Sequence, residues 1–130
     1  MTIVRHGVEK AAPGAPRVPY ARAVEADGWM YVSGQVGFAD GQVVPGGIAQ
    51  ESRQALENVI TILREAGYGP EDVVRVGVWL HDARDFAAFN RVYLGYFGEH
   101  LPARACLESR MMISCLVEVD CVAYRSKSAG

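Results

Sequence analysis

The chain has 130 residues, half of them apolar and 22% charged, with 13 basic and 15 acidic side chains and a formal net charge of −2. That size fits one domain around one core, and the composition is far from that of a disordered chain. The basic residues are scattered singly, so no stripe tracks a phosphate backbone, and no apolar run approaches the ~20 residues of a membrane helix.

Charges at Arg5, Glu9 and Lys10 interrupt the first ten residues and leave no apolar signal region, so the expected location is the cytoplasm. Residues 1–16 read as an irregular lead-in, its last part rich in Pro, Gly and Ala. Tyr20–Glu25 and Trp29–Val36 read as strands joined by Asp27-Gly28, a pair suited to a tight hairpin. After a glycine-rich passage from Gly37 to Gly47, Ser52, Ala55, Leu56, Val59, Leu63 and Ala66 recur at helical spacing and predict a helix over Ile48–Ala66.

Val73–Leu80 is valine-rich and reads as a central strand. Asp82, with Asp85 three residues on, resembles the start of a second helix running to about Phe97, with Phe86, Phe89, Tyr93 and Phe97 on one face. Two strands, Ala103–Ser109 and Leu116–Tyr124, close the chain, and residues 125–130 form a tail. The order ββαβαββ predicts a single α+β domain with a mixed sheet and both helices on one face. The other face then needs cover, which copies of the same chain supply most simply.

Alternation along the penultimate strand puts Arg104, Cys106 and Glu108 on one side. An Arg there is suited to holding a carboxylate through two parallel hydrogen bonds; the plain alternative is a structural Arg paired with a nearby acid. On the last strand Glu118 and Asp120 share a side. Glu118 reads either as a general acid/base or as a solvated residue on an exposed face. Cys106 would need a positive neighbour to become a nucleophile, and a small core residue is the ordinary role of a free thiol.

The remaining possibilities are plainer. Cys106, Cys115 and Cys121 have no C-x-x-C spacing and read as reduced thiols, and with the three His they show no metal-ligand pattern. Met111-Met112 is either a sticky surface or filler, and Asn90 on the second helix serves a loop contact as readily as a substrate.

Pro19-Tyr20, Ser33-Gly34-Gln35, Asn58, Asp85-Phe86 with Asn90, Pro102-Ala103-Arg104-Ala105-Cys106 and Val117-Glu118-Val119 resemble, in order and spacing, the motifs of the Rid family (YjgF, L-PSP), over roughly Arg17 to Tyr124. The resemblance implies a chorismate-mutase-like α+β fold, a homotrimer with clefts between subunits, and hydrolysis of enamine/imine intermediates such as 2-aminoacrylate to 2-keto acids and ammonia. It implies no cofactor and no metal. It assigns Arg104 to the substrate carboxylate, Glu118 to a water molecule, and Cys106 to the imine end. Tyr20, Ser33, Gly34 and Asn90 become the remaining pocket residues. The chain departs from the pattern at Val18, Gly37-Phe38, Ala105 and Arg110–Cys115, the last lacking the customary Leu-Pro. Some family members are called endoribonucleases, and a non-catalytic binding or chaperone-like trimer is the other alternative.

Overall fold

The computed structural model describes residues 2–8, 13–14 and 17–126. The chain forms β1 (Ile3–His6), β2 (Ala23–Ala26), β3 (Trp29–Val36), a small ribbon of β4 (Phe38–Ala39) and β5 (Gln42–Val43), and α1 (Ile48–Glu65). Then come β6 (Val73–Leu80), α2 (Phe86–Phe97), β7 (Ala103–Glu108) and β8 (Val117–Tyr124). Among the described residues one sheet has the order β1-β2-β3-β8-β6-β7. Its pairs are antiparallel except β6 with β7, which α2 joins by a crossover. This is the expected α+β domain.

Two boundaries differ from expectation. Ile3–His6 pairs with Ala23–Ala26 as an edge strand inside the segment read as lead-in. Four residues are too short for alternation to show. The readings of residues 9–12, 15–16 and 127–130 lie outside the described residues. The strand expected from Tyr20 is regular only from Ala23, so Tyr20 stands in a bend, 60% exposed. Between β2 and β3 the hairpin holds: Asp27 and Gly28 have φ of 52° and 88°, the two positive values that a primed turn demands.

Apolar spacing places α1 as expected. Ser52, Ala55, Leu56, Val59 and Leu63 are buried. Asn58 points the other way along α1 and its Nδ2 donates to the carbonyls of Val36 and Phe38, both at 3.0 Å, pinning the end of β3. Asp82 caps a 3-10 turn at Ala83–Asp85 by accepting from Arg84 N at 2.9 Å, and α2 starts only at Phe86. Phe89, Tyr93 and Phe97 are buried in the core; Phe86, expected with them, is 47% exposed and lies against Arg104.

Both helices therefore cover the sheet side formed by Val76, Val78, Leu80, Val117, Val119 and Cys121, all buried. Paired residues in a sheet share a face, so the register assigns every strand position to one side or the other. The uncovered side carries Trp29, Tyr31, Leu107 and Tyr124, each between 41% and 58% exposed, with the Trp29 and Tyr124 rings 4.7 Å apart. Aromatic area of this kind left in water is a mark of an interaction surface.

Candidate active site

The sequence-predicted residues fall into two groups on opposite sides of the sheet. On β7, Arg104 pairs in register with Val76 and Cys106 with Val78, both core-facing, so Arg104 and Cys106 point towards the helices. On β8, Glu118 lies opposite Trp79 between the buried Val117 and Val119, and so points to the uncovered side together with Asp120. Glu108, placed with Arg104 and Cys106 by alternation, instead accepts from Ala83 N at 2.7 Å at the end of its strand.

The Arg104 half is a hollow of about 320 Å³ bounded by Asn90, Tyr93, Leu94, Leu101, Pro102 and Arg104. Arg104 Nη1 donates to Asn90 Oδ1 at 2.8 Å. Its guanidinium carbon sits 4.7 Å from the centre of the Tyr93 ring, 5.7 Å from Phe86 and 5.8 Å from Phe89. Aromatic faces attract a cation and hold its plane without consuming its N–H donors. Among the described residues no carboxylate pairs with Arg104, so the structural ion pair considered from sequence is not how this Arg is held. The buried Tyr93 hydroxyl also has no hydrogen-bond partner among them.

Cys106 packs at the margin of the core beside this hollow. Burial pushes its thiol up, and the nearby Arg104 opposes that only in part. The sulfur is therefore held as a neutral thiol, a poor nucleophile. Cys115 and Cys121 are buried and free, and desolvation pushes Cys121 up to about 12.

The Glu118 half is a hollow of about 470 Å³ bounded by Tyr20, Ser33, Gly34, Val36, Met112, Ile113 and Glu118. A bulge builds it. Between the pairs Val32–Cys121 and Gln35–Val119, both Ser33 and Gly34 stand opposite the single residue Asp120. One extra residue shifts the alternation and brings Ser33 and Gly34 beside Glu118. A Cβ at Gly34 would overlap the Glu118 carboxylate where it now stands, so an added side chain requires that carboxylate to move. Ser33 Oγ donates to Ala21 O at 2.7 Å, which holds the segment carrying Tyr20 against β3. Burial first, and the Asp120 charge second, raise the Glu118 carboxyl above its ordinary value.

Sequence reasoning missed the rest of the lining. Val36 follows from the bulge, for which Gly34 inside a strand was the available cue. Tyr93 and Phe86 lie three residues after and four residues before Asn90 on α2, spacing that places them under Arg104 once the strand register is known. Met112 and Ile113 come from an irregular loop with no periodic signal. A further residue outside both halves, Glu51, is 6% exposed and accepts from Leu116 N at 2.8 Å, tying α1 to the start of β8.

Comparison with known proteins gives a consistent picture. Residues 9–125 match the family described as Endoribonuclease L-PSP. The RutC family protein PH0854 of Pyrococcus horikoshii is 42% identical over 113 residues, 85% of this chain and 90% of the relative. The 2-iminobutanoate/2-iminopropanoate deaminase of Capra hircus is 40% identical over 127 residues, 95% of this chain and 93% of the relative. Among solved structures, TdcF of E. coli with bound serine superposes with a TM-score of 0.79 at 31% identity, covering 92% of this chain and 98% of that one.

Proposed function

Since the chain belongs to the L-PSP family of YjgF, RutC and Rid proteins, we propose that it hydrolyses 2-imino acids, tautomers of reactive enamines, to 2-keto acids and ammonia. The observation that carries this reading is an Arg with no acid partner among the described residues, stacked on aromatic rings and offering free donors beside a hollow. Such a guanidinium is suited to a planar carboxylate. The relative named 2-iminobutanoate/2-iminopropanoate deaminase acts on a molecule of this class, and TdcF holds serine, which also carries a carboxylate beside nitrogen.

Arg104 and Glu118 lie two strands apart, about 10 Å sideways, and on opposite sides of the sheet. One chain does not bring both to a molecule in which carboxylate and imine carbon are neighbours. We therefore place the reaction between two copies, in a homotrimer that also covers the aromatic side of the sheet. Arg104 of one copy fixes the carboxylate, and Asn90 and the rings fix Arg104. Glu118 of the next copy takes a proton from water as the oxygen adds to the imine carbon and gives it to the nitrogen, forming a carbinolamine; it then takes the hydroxyl proton as the carbonyl forms and gives that to the departing nitrogen. Water supplies the oxygen of the keto acid, ammonia departs, and Glu118 ends as it began. A carboxyl raised above its usual range exchanges protons closer to neutrality, which suits a group serving as base and then acid. Positioning provides the remainder, because the substrate is already reactive.

The family description names endoribonucleases, but a net charge of −2 with basic residues scattered singly along the sequence gives no support to an RNA path. The test generates imino acids with an amino-acid oxidase in the presence of semicarbazide and measures how far the protein suppresses trapping. Glu118→Gln is expected to lose about 10²–10⁴ in rate, the usual cost of removing a general acid/base. Cys106→Ala, losing a wall contact, is expected to lose about tenfold or less. Near-normal Glu118→Gln alongside inactive Cys106→Ala overturns the proposed chemistry.

A further inference from the structure

The Glu118 hollow is larger than a three-carbon imino acid requires, and its walls are unequal. Ser33, Gly34 and Glu118 form a polar end, while Tyr20, Val36, Met112 and Ile113 close the rest. Met112 is 97% exposed and Ile113 48%, yet both border the cavity that holds the acid. The same two residues also border a second hollow of about 650 Å³. A thioether with three rotatable torsions can follow ligands of different shape, and the β-branched Ile113 beside it supplies a stiff floor.

We propose that Met112 and Ile113 form a side-chain pocket that directs this protein towards 2-imino acids with long, unbranched apolar side chains, in preference to the three-carbon substrate. The inference rests on the deaminase reading above and adds the substrate class. Each methylene moved from water onto an apolar wall gains roughly fourfold in binding. A four-carbon side chain adds three methylenes to a methyl group, so a gain of at least roughly tenfold in kcat/KM remains even if part of the chain stays wet. An acidic side chain meets the opposite outcome. Glu118 is the one charged residue lining this hollow among the described residues, and it repels a second carboxylate.

The experiment measures kcat/KM for 2-iminopropanoate, 2-iminohexanoate and 2-iminoglutarate, each released in place by an oxidase, on the full-length protein and on Met112→Ala and Met112→Lys. The wild type is expected to favour the hexanoate over the propanoate by at least roughly tenfold and to disfavour the glutarate. Met112→Ala should shrink the hexanoate-to-propanoate ratio several-fold, and Met112→Lys should raise the glutarate-to-hexanoate ratio by roughly tenfold or more. Hydrolysis of all three imines with no dependence on side-chain length, or ratios that neither variant moves, overturns the pocket while leaving the deaminase reading intact. Failure to hydrolyse any of them overturns that reading, and the pocket with it.

Discussion

The Arg104 guanidinium is held by Asn90 Oδ1 on one edge and by the Tyr93, Phe86 and Phe89 rings around it. Each of those partners depends on a planar, delocalised cation, and so does the proposed two-pronged grip on a carboxylate. A lysine at this place keeps the charge and loses both the plane and the fork. Arg104→Lys is therefore expected to lose nearly as much kcat/KM as Arg104→Ala, roughly tenfold to a hundredfold for the charged hydrogen bond forfeited. Retention of most activity by the lysine variant, read from the same trapping assay, would show that charge alone suffices. From sequence, Arg104 was visible as a cation on an apolar strand. What holds it was not, because Asn90 and the rings belong to α2 and meet β7 only through the crossover.

At the scale of elements, the bulge in β3 is the device that makes the Glu118 hollow. Regular alternation across Ser33-Gly34-Gln35 would carry these residues to successive faces; the extra residue opposite Asp120 keeps Ser33 and Gly34 next to Glu118. At Gly34 the atom a new Cβ meets is the far end of the Glu118 side chain. Gly34→Ala should consequently be mild for stability, within about 1 kcal/mol, because a flexible carboxylate can swing aside. It should be severe for turnover, about tenfold or more, because the displaced group is the proposed proton carrier. Thermal unfolding followed by circular dichroism, set beside the rate, separates the two effects; a normal rate would remove Gly34 from any role in placing Glu118. Periodicity showed the helices and the long strands well, because their burial is one-sided and extends over several turns or pleats. It could not show β1, which is a four-residue edge, nor the bulge, which breaks the alternation on which the reading depends. The Met112 loop has no period at all, so its place in the cavity emerged only with the fold.

For the whole molecule, the sidedness of the sheet governs what the chain can do alone. Helices α1 and α2 occupy one side, an exposed aromatic surface the other, and the two candidate half-sites are divided in the same way. In the proposed homotrimer, the Arg104 half of each copy would meet the Glu118 half of the next, which would complete every site and cover the surface together. The most direct measurement mixes subunits of Arg104→Ala and Glu118→Gln, each expected to keep at most about a tenth of wild-type activity by itself, co-expressed with distinct tags at equal levels so that they assemble at random. If each site takes Arg104 from one chain and Glu118 from its neighbour, about a quarter of the sites receive both native residues, and about a quarter of wild-type imine hydrolysis returns. If the mixture is no more active than its parents although mixed oligomers are recovered through both tags, the two halves do not form one site, and catalysis between neighbouring subunits is contradicted.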